Sequence, residues 1–371
     1  MSGGNRIVLV AGGTGGHVFP ARALAVELLG RGHTLAFITD RRGEAYGESV
    51  VKLDTYRLRA GTTTGQGWFG RLRAAVEVAS GWWQAHGLME QLRPLAVVGF
   101  GGYPALPAMM AALQKRLPTV IHEQNAVLGR ANRFLATRVD AIAVTFAATA
   151  RIPEICASKV VVTGNPIRPD LMPIRAARYA APAAGESVNL LVLGGSQGAS
   201  VFSAVLPEAL GRLDAGLKAR LSVVAQCRRE DLDQARAAYA KAGIKARCAA
   251  FFDAVTEELA RAHLVVARAG ASTVCEIAAA GRPALLVPYS QAVDDHQTAN
   301  AAILGAVGAA DIVRQSEFTS ERVATLLAPL LGDGALLAER ATKARAVGVP
   351  DAAKRLADLV ERLGRRDGRA A

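Results

Sequence analysis

Short runs of apolar, mostly β-branched residues alternate along the chain with Ala-, Leu- and Arg-rich stretches of helical spacing. That alternation marks right-handed βαβ units and a parallel sheet. In the first half it predicts strands at RIVLV (6–10), TLAFIT (34–39), LAVVGF (95–100), TVIH (119–122), AIAVT (141–145) and KVVVT (159–163). In the second half the runs are VNLLVLG (188–194), LSVVAQ (221–226), ARCAAF (246–251), LVVA (264–267), PALLVP (283–288) and ADIV (310–313). A helix is predicted after the first strand. Pro20 suits its first turn, Ala21, Leu24, Ala25, Leu28 and Leu29 make an apolar face, and Gly32 can end it. The tail DAAKRLADLVERLGRR carries Leu356, Leu359, Val360 and Leu363 on one helical face.

The second half opens as the first does, NLLVLGGSQGA echoing RIVLVAGGTGGH, which points to a duplicated unit. Between them GNPIRPDLMPIRAARYAAPAAGESVN is rich in Pro, Gly and small residues and reads as a linker. With 371 residues the chain exceeds the size of most single cores. The expected domains are 1–163 and 164–345, with 346–371 a C-terminal helix packing back on the first. The uncharged run from Leu95 to Leu113 is long enough to raise a membrane span. Its centre, GFGGYPALP, makes it strand, loop and helix instead.

Composition narrows the function. The chain is 51% hydrophobic and 20% charged, far from disordered classes. Forty-four Lys and Arg against thirty-two Asp and Glu give a net charge of +12, which favours anionic substrates or surfaces. No basic block interleaved with aromatics supports nucleic acid as partner. The four cysteines form no C-x-x-C pair, which argues against a disulfide framework or zinc site and fits a reducing compartment. The start MSGGNRIVLV enters a strand directly, so no secretory signal is expected.

Three glycine-rich loops, GGTGGH (12–17), GFGGYP (99–104) and GGSQGA (194–199), fall at predicted C-terminal strand ends, where open α/β sheets bind ligands. A glycine turn feeding a helix lets backbone approach a ligand and aims N–H groups and the positive dipole end at an anion. A nicotinamide dinucleotide site is the obvious rival, and Asp40 fits its acidic position. The glycines do not, because G-x-G-x-x-G would need a third glycine at Val18 and one at Gln197; the Walker pattern is absent as well. Asp231-Leu-Asp233 resembles a metal-binding pair but lies in REDLDQARAAYAKAG, which reads as an exposed helix, so no metal and no cofactor are expected.

The set GGTGGHVFP, GFGGYP, HEQN (122–125), TGNPIR (163–168), GGSQGA, RAGASTVCEIAAAGRPALLVPY and DDHQTANA, in this order from about residue 6 to the end, resembles the bacterial peptidoglycan N-acetylglucosaminyltransferases. That family moves N-acetylglucosamine (GlcNAc) from UDP-GlcNAc to the muramoyl 4-hydroxyl of lipid I, the pentapeptide-bearing pyrophosphoryl-undecaprenol, forming lipid II. The resemblance implies an α/β GT-B fold: two Rossmann-like, doubly wound parallel-sheet domains facing across a cleft, acceptor mainly on the first and donor mainly on the second. It also implies inversion at the anomeric carbon, a peripheral place on the cytoplasmic face of the bacterial plasma membrane, and partners among cell-wall synthesis proteins.

Carried over by position, the donor contacts are Thr14, Gly15, Gly16, Asn125, Arg168, Ser196, Phe252, the stretch Ala271, Ser272, Thr273, Val274, Cys275 and Glu276, and Gln297. Tyr103, His122 and Asn132 match acceptor-side positions. Glu276 either accepts the ribose hydroxyls or closes a capping box with Thr273 as N-cap. Ser196 adds a hydroxyl to the diphosphate cradle, Arg168 neutralises charge, and Phe252 reads uracil through its backbone. Gln297 can both donate to and accept from sugar hydroxyls. His17 opens the first helix, whose dipole favours a neutral ring; it is either the base for the attacking hydroxyl or a partner of the acceptor's pyrophosphate, and Glu123 is the rival base. After GGSQGA the family usually has a basic residue and an asparagine, whereas this chain has Ser200 and Ser203. GQGWFGRLRAAVEVASGWWQAHGL holds all three tryptophans, and Trp68, Phe69, Trp82 and Trp83 beside Arg71 and Arg73 suit either an anionic membrane surface or the core.

Overall fold

The computed structural model describes residues 5–40, 53–58, 68–102, 105–195, 198–252 and 254–366, with backbone alone for 68–78 and 366. The chain divides into two compact units, Met1–Arg168 with Pro350–Ala371, and Pro169–Val349.

The first unit holds a parallel sheet of seven strands: β1 (Arg6–Val10), β2 (Thr34–Thr39), β3 (Asp54–Arg57), β4 (Ala96–Gly99), β5 (Thr119–Glu123), β6 (Ala141–Val144) and β7 (Val160–Val162). Their order is β3-β2-β1-β4-β5-β6-β7. The order reverses beside β1, where Val10 pairs with Gly99 of β4, so the loops after those two strands flank the switch point at which open sheets take ligands. The strands are near-continuous apolar runs because both faces are covered. One face packs the helices Trp68–Leu92, Ala105–Gln114 and Arg130–Ala136 around Val97, Met109, Ile121 and Leu135. The other packs Gly15–Gly30 and the C-terminal helix Ala352–Arg366 around Leu9, Leu24, Leu28, Leu356 and Val360. The membrane-length run Leu95–Leu113 thus divides between β4 and the helix Ala105–Gln114. Among the described residues no helix is long and apolar enough to cross a membrane.

The second unit holds six parallel strands, β8 (Val188–Leu193), β9 (Leu221–Gln226), β10 (Lys245–Ala249), β11 (Leu264–Ala267), β12 (Ala284–Leu286) and β13 (Ala310–Ile312). The order β10-β9-β8-β11-β12-β13 repeats the first unit's winding. Leu193 pairs with Ala267, which puts the loops after β8 and β11 at the second switch point.

Two local expectations fail. The first helix begins at Gly15, five residues before Pro20, so this proline lies in the second turn, where it has no N–H to give the helical ladder. The strand Asp54–Arg57 escapes the apolar pattern because it is an edge strand with mostly exposed side chains.

Candidate functional site

In the first unit the loop after β1 turns at Gly13, whose φ of +86° suits glycine alone. The Gly13 amide donates to Asp40 Oδ1 at 2.9 Å, so the carboxylate expected of a ribose-binding site braces the loop instead. Thr14 stands at the N-cap without a side-chain cap bond, and it and Gly16 are exposed. Gly15 and Gly16 open the helix, where backbone N–H groups have no intrahelical acceptor. A Cβ on Gly15 would lie 2.7 Å from the Phe19 ring, and the Arg168 guanidinium stacks on that ring at 5.0 Å, bringing Arg168 to the same helix end.

His17, third residue of this helix, meets the HEQN segment at the end of β5. Its Nδ1 lies 2.8 Å from Gln124 Oε1. Gln124 Nε2 lies 2.9 Å from His122 Nδ1, and His122 Nε2 lies 3.0 Å from the Gly164 carbonyl of TGNPIR. Burial holds the His122 pKa down at about 4, so this ring is neutral near pH 7.

Glu123 is 2% exposed, and both its oxygens are filled. Oε1 accepts from the Asn125 amide at 3.0 Å and from Asn125 Nδ2 at 3.1 Å. Oε2 accepts from the Gly129 amide at 2.8 Å and from Asn132 Nδ2 at 2.9 Å. Four N–H donors pay for burying one carboxylate, and they leave it the role of organising the loop. The second glycine loop joins here, since a Cβ on Gly101 would lie 3.4 Å from His17 Cε1 and 3.5 Å from Asn132 Nδ2. Among the described residues Asn132 Oδ1 and both side-chain polar atoms of Asn165 are buried without hydrogen-bond partners, which is uncommon for buried polar groups. Tyr103 lies outside the described residues.

In the second unit the loop after β8 tolerates little but glycine. A Cβ on Gly194 would lie 2.7 Å from the Ala199 amide nitrogen, and one on Gly198 would lie 2.6 Å from Arg228 Cγ. Ser196, the expected hydroxyl of the cradle, lies outside the described residues. Ser200 starts the helix Ser200–Gly211, and Arg228, at the end of β9, donates to its Oγ at 3.3 Å. A guanidinium thus stands where the resemblance expects a basic residue, supplied from another strand. Ser203 Oγ is buried beside the Cys227 thiol.

Beyond β11 the helix Ala271–Ala280 has Gly270 as its N-cap. The capping box, one of the two readings of Glu276, is therefore absent: Thr273 is the third helical residue and Glu276 the sixth, too far along to reach back to the cap. Among the described residues Ser272 Oγ is buried without a hydrogen-bond partner. Gln297 Oε1 accepts from the amides of Ala269 at 3.2 Å and Tyr289 at 2.9 Å, so only its NH2 group remains to meet a sugar hydroxyl. Asn300 donates to the Ala269 carbonyl at 3.1 Å, fixing the same turn from the other side. Phe252 is buried, with Arg247 stacked 5.1 Å from its ring centre.

Sequence reasoning passed over Arg268. It is buried with no carboxylate partner among the described residues, donates to Gln315 Oε1 at 2.7 Å and to the Val287 and Pro288 carbonyls, and stacks on Phe202 and Tyr289. A cation so placed at the switch point makes the second site electropositive. Its signal was the lone Arg directly after an apolar strand. Asp233 is exposed, whereas Asp231 is half-buried with Oδ2 unpartnered, so the Asp-x-Asp pair is not wholly a solvated face.

The tryptophans divide. Trp82 packs on the core of the first unit, and Trp83, in edge contact with it at 5.4 Å, is 70% exposed. The side chains of Trp68 and Phe69 lie outside those described.

Comparison with known proteins bears on both units. Residues 7–144 match the Glycosyltransferase family 28 N-terminal domain and residues 189–356 the Glycosyltransferase family 28 C-terminal domain. The chain is 52% identical over 354 residues to the UDP-N-acetylglucosamine–N-acetylmuramyl-(pentapeptide) pyrophosphoryl-undecaprenol N-acetylglucosamine transferase of Rhodospirillum rubrum, covering 95% of this chain and 91% of that one. Among solved structures, Acinetobacter baumannii MurG superimposes with a TM-score of 0.78 at 32% identity, over 96% of this chain and 99% of that one. The calicheamicin glycosyltransferase CalG4 shares the fold, with a TM-score of 0.65 at 16% identity over 98% and 99% of the two chains.

Proposed function

The chain belongs to glycosyltransferase family 28, and from that membership we propose that it transfers GlcNAc from UDP-GlcNAc to the muramoyl 4-hydroxyl of lipid I, yielding lipid II and UDP. The observation that carries this reading is likeness at half identity, over nearly the whole of both chains, to a transferase bearing that name. In the reaction the acceptor oxygen attacks the anomeric carbon from the face opposite UDP. The bond from that carbon to the β-phosphate oxygen breaks, and the hydroxyl proton passes to a base.

The second unit's loop and the helix Ala271–Ala280 are assigned to the donor. Backbone N–H groups, helix dipoles and Arg268 would oppose the charge growing on the diphosphate. His17 is assigned as base, because its Nε2 makes no hydrogen bond among the described residues whereas Glu123 has both oxygens occupied. Trp83, exposed on a basic protein, is assigned to the interface of an anionic membrane, which would place the enzyme peripherally on the cytoplasmic face of the bacterial plasma membrane.

Incubation of the purified protein with radiolabelled UDP-GlcNAc and a lipid I analogue, beside UDP-glucose, tests the reading. Label should move to the lipid from UDP-GlcNAc and not from UDP-glucose. Absence of transfer from UDP-GlcNAc would overturn it.

A further inference from the structure

His17, Gln124, His122 and Gly164 form one hydrogen-bonded line, and the chemistry of its far end settles where each proton sits. The Gly164 carbonyl can only accept, so His122 Nε2, 3.0 Å away, carries the hydrogen, and the neutral ring presents a lone pair at Nδ1. Gln124 places one end of its amide 2.9 Å from that lone pair and 3.0 Å from the His122 carbonyl; two acceptors require this end to be the NH2 group. The amide oxygen therefore faces His17 Nδ1 at 2.8 Å, and that nitrogen must donate.

We propose that Gln124 is a positioning residue which, locked by His122 and the Gly164 carbonyl, holds His17 in its Nδ1–H tautomer and keeps the Nε2 lone pair for the acceptor hydroxyl. The catalytic consequence rests on the assignment of His17 as base; the tautomer does not. His122 is fully buried and Gln124 nearly so, which leaves water little chance to reverse the pattern. The line contains no carboxylate. Glu123, next in sequence to both His122 and Gln124, turns its oxygens to Asn125, Gly129 and Asn132. This device differs from the Ser-His-Asp arrangement, in which an anion performs the orienting. A neutral amide fixes the tautomer without holding a negative charge beside the ring.

Two-bond proton–nitrogen spectra of the full chain labelled with 15N-histidine, with His17 assigned by loss of its signals in His17→Gln, read the tautomer directly. The wild type should show His17 protonated at Nδ1. Gln124→Met, of similar shape and without the amide, should release His17 to the Nε2–H form. It should lower kcat roughly 10–100-fold, the usual effect of removing an orienting partner, with KM for UDP-GlcNAc unchanged. His17 found as Nε2–H in the wild type overturns the proposal, as does Gln124→Met that changes neither tautomer nor kcat, or changes the tautomer without slowing turnover. His17→Ala separates the two readings: full activity in that variant removes His17 as base, whereas the spectra decide whether Gln124 sets the tautomer.

Discussion

Asp40 Oδ1 accepts the amide of Gly13 at 2.9 Å, tying the end of β2 to the glycine loop after β1. The carboxylate that a dinucleotide-binding sheet would offer to a ribose is thereby spent inside the protein. Asp40→Ala is expected to cost about 1–3 kcal/mol in urea unfolding of the first unit, the usual loss when a buried donor is left unpaired. NAD or NADP should leave the melting temperature where it was.

His17→Ala should lower kcat by about 10²–10⁴ with little change in the KM for UDP-GlcNAc, the signature of a proton acceptor used only in the transition state. A loss confined to the KM for lipid I would assign the ring to the acceptor's pyrophosphate. Steady-state kinetics with each substrate varied in turn distinguishes the two.

For Glu276→Ala the expected change is a rise in the KM for UDP-GlcNAc equivalent to about 1–3 kcal/mol. The structure removes the competing role, because Gly270 and not Thr273 caps this helix. Isothermal titration with UDP should show the weaker binding directly.

His122 makes the stability of the first unit depend on pH. Its folded pKa is lowered to about 4 by burial, below the ordinary 6.5, so the unfolded chain binds the extra proton between those values. Stability is full above about pH 6.5 and falls as pH drops toward 4, by up to about 3 kcal/mol from this group. Urea unfolding of the wild type and His122→Gln at pH 7 and pH 4.5 should show that part of the slope vanish in the variant.

Trp82 and Trp83 are adjacent and should behave differently. Trp83→Ser is expected to weaken flotation with anionic liposomes and leave the melting temperature unchanged, because the ring is exposed. Trp82→Ser should instead cost about 2–4 kcal/mol, as expected for an aromatic taken from a packed face. Equal liposome binding by Trp83→Ser and wild type would reject the membrane assignment.

The strands were legible because buried parallel strands are apolar along their whole length, and their positions agree with the runs to within a few residues. The exception, Asp54–Arg57, has one covered edge and little buried surface, so its sequence, DTYR, carries no such mark. The glycine loops were legible too, because Gly13, Gly195 and Gly198 adopt positive φ that other residues avoid. The cap of the helix Ala271–Ala280 was left open between two readings, since serine and threonine inside a first turn look the same in sequence as at its cap. Pairings between distant segments had no local signal. Gln124 stands 107 residues from His17, and the Gly164 carbonyl that meets His122 stands 42 residues from it.

The helix Ala352–Arg366 carries an obligation for biosynthesis. It seals Leu9, Leu24 and Leu28, and Arg31 reaches Asp358 at 2.7 Å and Glu361 at 3.2 Å, yet the ribosome makes it after the whole of the second unit. The unit translated first must wait, one flank greasy and uncovered, until the last segment emerges, while the contiguous second unit can finish earlier. A nascent chain arrested near Val349 would therefore carry a sound second unit and a first unit dependent on chaperones.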